Sequence, residues 1–269
     1  MAKVAIVGGG KMGEALLGGL VHAGWNPSDL TVCEQHEDRR KVLADAYGIG
    51  CVGDIAQAVA DAQTVVLAVK PQDFDGVLNE LGAAIGPDCL VLSIAAGIPT
   101  RFIESRMPAG VPVVRAMPNT PALLREGVSA IAPGSHATTE HLASAAEILR
   151  EVGRVVHLAE KHLDAVTGVS GTGPAYVFFL AESLIEAAVG VGLPRDVAIE
   201  LSVQTLLGAA RMLRETGKHP VELREEVTSP GGTTVAAMRV LEREGVRSAF
   251  LDAVRAATER SHELANEHD

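Results

Sequence analysis

Aromatic side chains are scarce in this sequence, with five Phe, two Tyr and one Trp among 269 residues. A core must therefore be built from aliphatic groups, which the 47% hydrophobic content can supply. Cysteine is equally rare. Cys33, Cys51 and Cys89 are odd in number and follow no C-x-x-C spacing, which excludes a disulfide framework and suits a reducing compartment. Basic charge is short: 23 Lys and Arg face 34 Asp and Glu, and the net charge of −11 is spread over both halves. Neither half offers the basic face that phosphate neutralisation needs, so nucleic acid is not an expected partner. The start, Met1-Ala2-Lys3, lacks a charged segment followed by an apolar one, and no apolar run reaches about 18 residues without a charge. The expectation is a soluble, unexported, cytoplasmic chain with no membrane partner. His22, His36, His136, His141, His157, His162, His219, His262 and His268 form no H-E-x-x-H pair, so they read as surface or packing residues and no metal is expected. The absence of a G-x-S-x-G elbow removes support for a serine hydrolase.

What is present alternates. From residue 3 to about 158, β-branched runs at Val4–Val7, Leu30–Cys33, Ile49–Val52, Thr64–Val69, Leu90–Ile94, Val111–Ala116, Val128–Ile131 and Val155–Leu158 are separated by helical spacing near 12–23, 37–47, 54–60, 73–85, 100–106 and 140–152. That is the pattern of an α/β domain, and runs such as Val65-Val66-Leu67-Ala68-Val69 suit strands covered on both faces. Beyond about residue 162 only helical spacing remains, over 174–192, 195–216, 220–227, 233–244 and 246–266, with Pro194 and Pro220 near helix starts and Gly192, Gly217 and Gly245 at helix ends. The predicted class is α/β then all-α, divided at 1–161 and 162–269. For this mass, surface scaling predicts a folded area near ~11,000 Å². The stretch Ala175–Gly192 is apolar nearly all round, which predicts burial against another subunit.

Lys3-Val4-Ala5-Ile6-Val7 runs into Gly8-Gly9-Gly10-Lys11-Met12-Gly13 and then into a helix, so a G-x-G-x-x-G sequence stands between strand and helix as a dinucleotide loop requires. Gly8 permits the turn, Gly10 lets the backbone approach a pyrophosphate, and Gly13 allows the helix to pack closely on the strand. Glu34 ends the second strand, where a carboxylate can accept hydrogen bonds from an adenine ribose, which favours NADH. Arg39, Arg40 and Lys41 follow, either as contacts for a 2′-phosphate or as a solvated patch paired with Glu37 and Asp38. NADH and NADPH both remain open.

Four further segments carry more than fold class: Leu67-Ala68-Val69-Lys70-Pro71-Gln72, Ser93-Ile94-Ala95-Ala96-Gly97-Ile98, Arg115-Ala116-Met117-Pro118-Asn119-Thr120-Pro121 and Val227-Thr228-Ser229-Pro230-Gly231-Gly232-Thr233-Thr234. With Ala165 to Tyr176, they closely resemble the pyrroline-5-carboxylate reductases, and the likeness runs from residue 3 to about 266. The resemblance implies a Rossmann-like doubly wound sheet and a helical dimerisation domain. It implies reduction of the C=N bond of 1-pyrroline-5-carboxylate to L-proline with NAD(P)H, the last step of proline biosynthesis. It also implies a homo-oligomer: a dimer, or a decamer built from dimers. It places the dinucleotide on Val7, Gly8, Gly9, Gly10, Lys11 and Met12, on Ala68, Val69, Lys70 and Pro71, on Ile94, Ala95 and Ala96, and near Asn119. It places Thr167 beside the substrate nitrogen and Glu160 near both ligands.

The substrate carries a carboxylate, and residues 229–234 can receive it. Pro230, Gly231 and Gly232 let the backbone turn tightly, and the helix starting near Thr233 presents N–H groups with a favourable dipole. No Glu or Gln three residues beyond Thr233 or Thr234 completes a capping box, so those donors stay available. Hydroxyls of Ser229, Thr233 and Thr234 can add bonds. A plain Ser-Pro turn with a Thr cap is the bland alternative, as is a cap for Thr167. Two other functions compete: a β-hydroxyacid dehydrogenase-like enzyme, which needs a helical lysine where only Lys218 remains after Lys161, and a non-catalytic NAD(P)-sensing protein.

Overall fold

All eight predicted strands form: β1 (Val4–Val7), β2 (Leu30–Cys33), β3 (Gly50–Val52), β4 (Thr64–Leu67), β5 (Leu90–Ser93), β6 (Val113–Met117), β7 (Gly127–Pro133) and β8 (Gly153–His157). They make one sheet in the order β3-β2-β1-β4-β5-β6-β7-β8, parallel at every pairing except β6 with β7. The computed structural model describes residues 3–266. The period of two sorts the strand side chains onto two cores. Val4, Ile6, Val66, Leu92 and Val114 face one, with Leu16, Leu17 and Leu20 of α1 (Lys11–His22), Leu43 of α2 (Glu37–Tyr47) and Leu149 of α6 (Thr139–Arg150). Ala5, Val7, Val65, Leu67, Val91 and Val113 face the other, with α3 (Ile55–Val59), α4 (Phe74–Ala84) and α5 (Thr100–Glu104) packed over them. Both faces are covered, so the strands can be apolar without alternation.

The chain divides into two compact units. One runs through Thr172 and takes in the chain from Arg255 onward; the other is Gly173–Val254. The partition drawn from the sequence cuts the chain earlier. The difference has a packing cause: a short helix, α7 (Leu163–Val166), buries Leu163 against Ala130 and Ala132 of β7. Asp164 in the same helix accepts a 2.8 Å bond from the hydroxyl of Ser261. After α7 the chain makes one wide turn, Thr167–Gly171, closed by the Thr172 N–H on the Thr167 carbonyl at 2.8 Å. Neither α7 nor this π-type turn was predicted, because both are too short to show a period.

The second unit contains α8 (Gly173–Gly190), α9 (Arg195–Thr216), α10 (Pro220–Glu226), α11 (Thr233–Arg243) and the first turns of α12 (Val246–Asn266). Pro194 and Pro220 stand at helix starts, and Gly192, Gly217 and Gly245 adopt positive φ at helix ends. Tyr176 and Phe250 meet edge to face at 6.3 Å. Little else is enclosed: among the described residues of this unit only Ala198 and Ser202 are buried, while Phe178 is 66% and Phe179 71% exposed. The chain exposes 14840 Å², well above the surface-scaling expectation of ~11,000 Å². Residues 160–190 are also long and apolar enough to cross a bilayer by length and composition alone.

One close approach positions the first site. Gly8 sits at φ +107°, and a Cβ on Gly13 would collide with the Gly8 carbonyl oxygen. Gly13→Ala should therefore cost about 1–3 kcal/mol by overpacking. Urea denaturation of the ligand-free chain measures that loss, and an unchanged midpoint would contradict the packing assigned to the loop.

Candidate active site

The strand order reverses between β1 and β4, and a crevice of about 580 Å³ opens beyond the carboxyl ends of β1, β2, β3 and β4. An open parallel sheet places its ligand at such a switch point. Of the residues expected to hold a dinucleotide, Val7, Gly8, Gly10, Glu34, Ala68, Val69 and Lys70 line this crevice. Gly9 adjoins it, donating its N–H to Glu34 Oε2 at 3.0 Å. Lys11, Met12 and Gly13 form the first turn of α1, whose N-cap, Gly10, has extended backbone and no side-chain cap. A Cβ on Gly10 would meet nothing within 4 Å. Open space in front of uncapped N–H groups fits a pyrophosphate. Lys70 is exposed and its backbone begins the turn Pro71–Asp73, while its side chain caps nothing.

Ile94, Ala95, Ala96 and Asn119 do not line this crevice. Ile94 donates its N–H to Leu67 at 3.1 Å, and Ala95 donates to Ser93 Oγ at 3.4 Å. Asn119 is buried and ties two segments together, its Nδ2 donating to the Ser170 carbonyl at 3.1 Å and its Oδ1 accepting from Val128 N–H at 2.9 Å.

Three side chains do work that the sequence did not disclose. Glu160 accepts from the Thr100 N–H at 2.7 Å and the Thr100 hydroxyl at 2.6 Å, and pairs with Arg115 at 3.2 Å. Arg115 is nearly inaccessible on β6, so Glu160 neutralises a buried cation and caps α5. A lone arginine within the apolar run Val111–Ala116 was the available signal. Thr234, expected to bond a substrate carboxylate, instead donates its hydroxyl to the Val227 carbonyl at 2.9 Å and retains only acceptor capacity. His36, read as surface or packing, lines the crevice with its Nδ1 2.8 Å from Glu34 Oε1. His141 completes a capping box with Thr138, and His219 accepts from Val221 N–H; His268 lies outside the described residues.

The basic run follows the patch reading at Lys41 and departs from both expectations at Arg39 and Arg40. Lys41 pairs with Glu37 at 2.7 Å as the patch reading required. Arg39, however, donates to the Gly9 carbonyl at 2.8 Å and to Glu14 at 2.5 Å, and Arg40 donates to the carbonyls of Glu34 and Gln35, each at 2.7 Å.

The remaining predicted groups are placed as follows. Thr167 is half-buried at the head of the π-type turn, with its hydroxyl donating to the Leu163 carbonyl at 3.0 Å. In the second unit, Gly232 N–H closes on the Ser229 carbonyl at 3.0 Å, with Pro230 and Gly231 (φ +69°) at the corner. Gly232 is the N-cap of α11, with extended backbone and no side-chain cap, so the expected absence of a capping box there is met. Ser229 and Thr233 are exposed. Burial pushes the Cys33 thiol in the crevice up to about 11, with Asp54 and other carboxylates adding to it, so it is a neutral, unreactive group.

A dinucleotide loop at the switch point of a doubly wound sheet, followed by a helical unit, defines an NAD(P)-dependent oxidoreductase. Comparison with known proteins narrows the class. A family model described as "Pyrroline-5-carboxylate reductase dimerisation" matches residues 160–264, and one described as "NADP oxidoreductase coenzyme F420-dependent" matches residues 3–97. A pyrroline-5-carboxylate reductase of Corynebacterium melassecola is 45% identical, over 98% of this chain and 99% of that one. The structure of a pyrroline-5-carboxylate reductase from Coxiella burnetii superposes with a TM-score of 0.93 at 37% identity, covering 98% of both chains. A pyrroline carboxylate reductase of Plasmodium falciparum, solved with NADP bound, gives 0.88 at 28% identity with the same coverage. The chain belongs to the pyrroline-5-carboxylate reductase family. Its activity is the NAD(P)H-dependent reduction of 1-pyrroline-5-carboxylate to L-proline, a step of proline biosynthesis, and the two competing functions fall away. The exposed apolar helix α8 lies within the dimerisation match, so it serves self-association and not membrane spanning.

Glu34 carries a testable titration. Burial alone raises its carboxyl, but the N–H of His36, the His36 ring and the N–H of Gly9 outweigh burial and hold it below the ordinary 4.5. A carboxyl lowered by folding stabilises the protein fully above its unfolded value and ceases to do so as pH falls through the folded value. The stability difference between the wild type and Glu34→Gln should be constant above about pH 5.5, shrink below 4.5, and close at lower pH. Thermal melts of the ligand-free proteins across pH 3 to 7 would measure it, and a difference independent of pH would contradict the assignment.

Proposed function

We propose that the crevice at β1, β2 and β4 holds the NAD(P)H, that the turn and helix start at Ser229, Gly231, Gly232, Thr233 and Thr234 hold the substrate carboxylate, and that Thr167 holds the substrate nitrogen. The observation that carries the carboxylate assignment is the uncapped start of α11 behind a tight glycine turn. A carboxylate there receives backbone N–H bonds with the helix dipole in its favour. The exposed hydroxyls of Ser229 and Thr233 are free to rotate toward it, while Thr234 acts through its main chain and by fixing Val227.

When bound, NAD(P)H supplies the hydride, and a protonated imine carbon accepts it readily. The chain's own task is to bind, orient and place a proton. An iminium nitrogen carries an N–H donor and needs an acceptor. Thr167 presents one, because its proton is already given to the Leu163 carbonyl and its lone pairs are left over. Glu160, fixed by Thr100 and Arg115, keeps acceptor capacity on Oε2 and stands near both ligands in this reading.

The functional partition at residue 161 is part of this reading, with coenzyme binding before it and substrate binding and dimerisation after it. So is a cytoplasmic homodimer, capable of assembling further toward a decamer, in which the uncovered faces of α8 and α9 meet a second copy. The excess exposed area of the single chain supports that association.

Two variants divide the roles. Thr167→Val should lower kcat about ten- to a hundredfold, as loss of a bond to a charged group does. Thr167→Ser should recover most of it. Thr233→Val should raise KM for the cyclic imine by a few-fold and leave KM for the coenzyme unchanged. Following absorbance at 340 nm resolves all three, and a Thr167→Val enzyme with wild-type kcat, or a Thr233→Val enzyme with both KM values raised equally, would refute the respective role.

A further inference from the structure

We propose that this chain selects NADH over NADPH, and that Glu34 is the residue that sets the preference while Arg39, Arg40 and Lys41 take no part in reading the coenzyme. The inference rests on the crevice being the coenzyme site.

Three independent features of the ribose end support it. First, Glu34 is presented into the crevice as a fixed, ionised acceptor. Its side chain is 12% exposed; Oε2 takes the Gly9 N–H at 3.0 Å and Oε1 takes the His36 N–H at 2.9 Å. A carboxylate has about four lone-pair positions; the His36 ring takes a third at 2.8 Å, so capacity remains on Oε2 for one hydroxyl of an unmodified ribose. That hydroxyl donates; a 2′-phosphate cannot, and meets the carboxylate as like charge.

Second, the three cations that could have compensated are committed elsewhere. Arg39 clamps the Gly9 carbonyl and Glu14, Arg40 clamps the carbonyls of Glu34 and Gln35, and Lys41 pairs with Glu37. None of the three lines the crevice. Arg39 and Arg40 brace the glycine loop and the end of β2, so turning either toward a phosphate would release the backbone that positions Glu34.

Third, the crevice is acidic beyond Glu34. Asp73 and Glu80 also line it, against Lys70 and the imidazole of His36. A 2′-phosphate adds up to two negative charges to that balance. Among the described residues lining the crevice His36 alone carries an imidazole, and it is already held against Glu34 at 2.8 Å.

The test uses the full-length enzyme, its kcat/KM with NADH and NADPH, and competition against NADH by 5′-AMP and by 2′,5′-ADP, which carry the two kinds of adenosine ribose. The wild type should favour NADH by at least about tenfold, with 5′-AMP the stronger competitor. Glu34→Gln keeps a side-chain acceptor for Gly9 and removes the charge; it should shift the coenzyme ratio about tenfold toward NADPH and narrow the gap between the two competitors. A wild type that prefers NADPH, or a ratio unmoved in Glu34→Gln, overturns the inference while leaving the crevice as the coenzyme site. Failure of both adenosine phosphates to compete with NADH overturns the crevice assignment, and the inference with it.

Discussion

Charged ligands must be taken out of water without stranding their charge, and this chain meets that constraint with main-chain N–H groups at helix starts. At α1 the helix is held so close to β1 that a side chain at Gly13 would strike the Gly8 carbonyl, and its N-cap faces open space. At α11 a Ser-Pro-Gly-Gly turn leads into a second start without a side-chain cap. Both depend on what is missing: a Cβ at the glycines, and a capping side chain that would compete for the donors. The acidic net charge of −11 fits this solution, because neutral amides bind an anion without a surplus of Lys and Arg.

The rest of the fold serves that geometry. Covering the sheet on both faces fixes the strand ends from which the glycine loop, Glu34 and Ala68–Lys70 emerge. Arg39 and Arg40 then hold the loop from outside, and Glu160 satisfies buried Arg115 while capping α5. The helical unit has the opposite character. With only Ala198 and Ser202 buried among its described residues, it lacks a closed core within one chain, and the dimerisation match supplies the reason.

Much of this was legible in the sequence because it is periodic or local. Eight strands, the long helices and the glycine loop follow from spacing and from residues that only glycine can replace. The side-chain roles were not legible where partners are distant. Glu160 reaches Thr100 and Arg115 across 60 and 45 residues, and Arg39 reaches Glu14 across 25. No local pattern announces such pairs. Thr234 misled for a related reason, since a hydroxyl at a helix start looks free until the carbonyl of Val227 is seen beneath it. His36 was overlooked because a single histidine carries no spacing signal, although its place two residues after Glu34 was a clue.

The most direct measurement is a crystal structure of the assembled protein with a nicotinamide dinucleotide and L-proline, the product that carries the same carboxylate. The account predicts the pyrophosphate against Gly8–Met12 at the start of α1, and the proline carboxylate against the N–H groups of residues 231–234. A pyrophosphate at the first position with proline bound elsewhere would contradict the substrate assignment, and a dinucleotide seated away from the β1–β4 switch point would contradict the account as a whole.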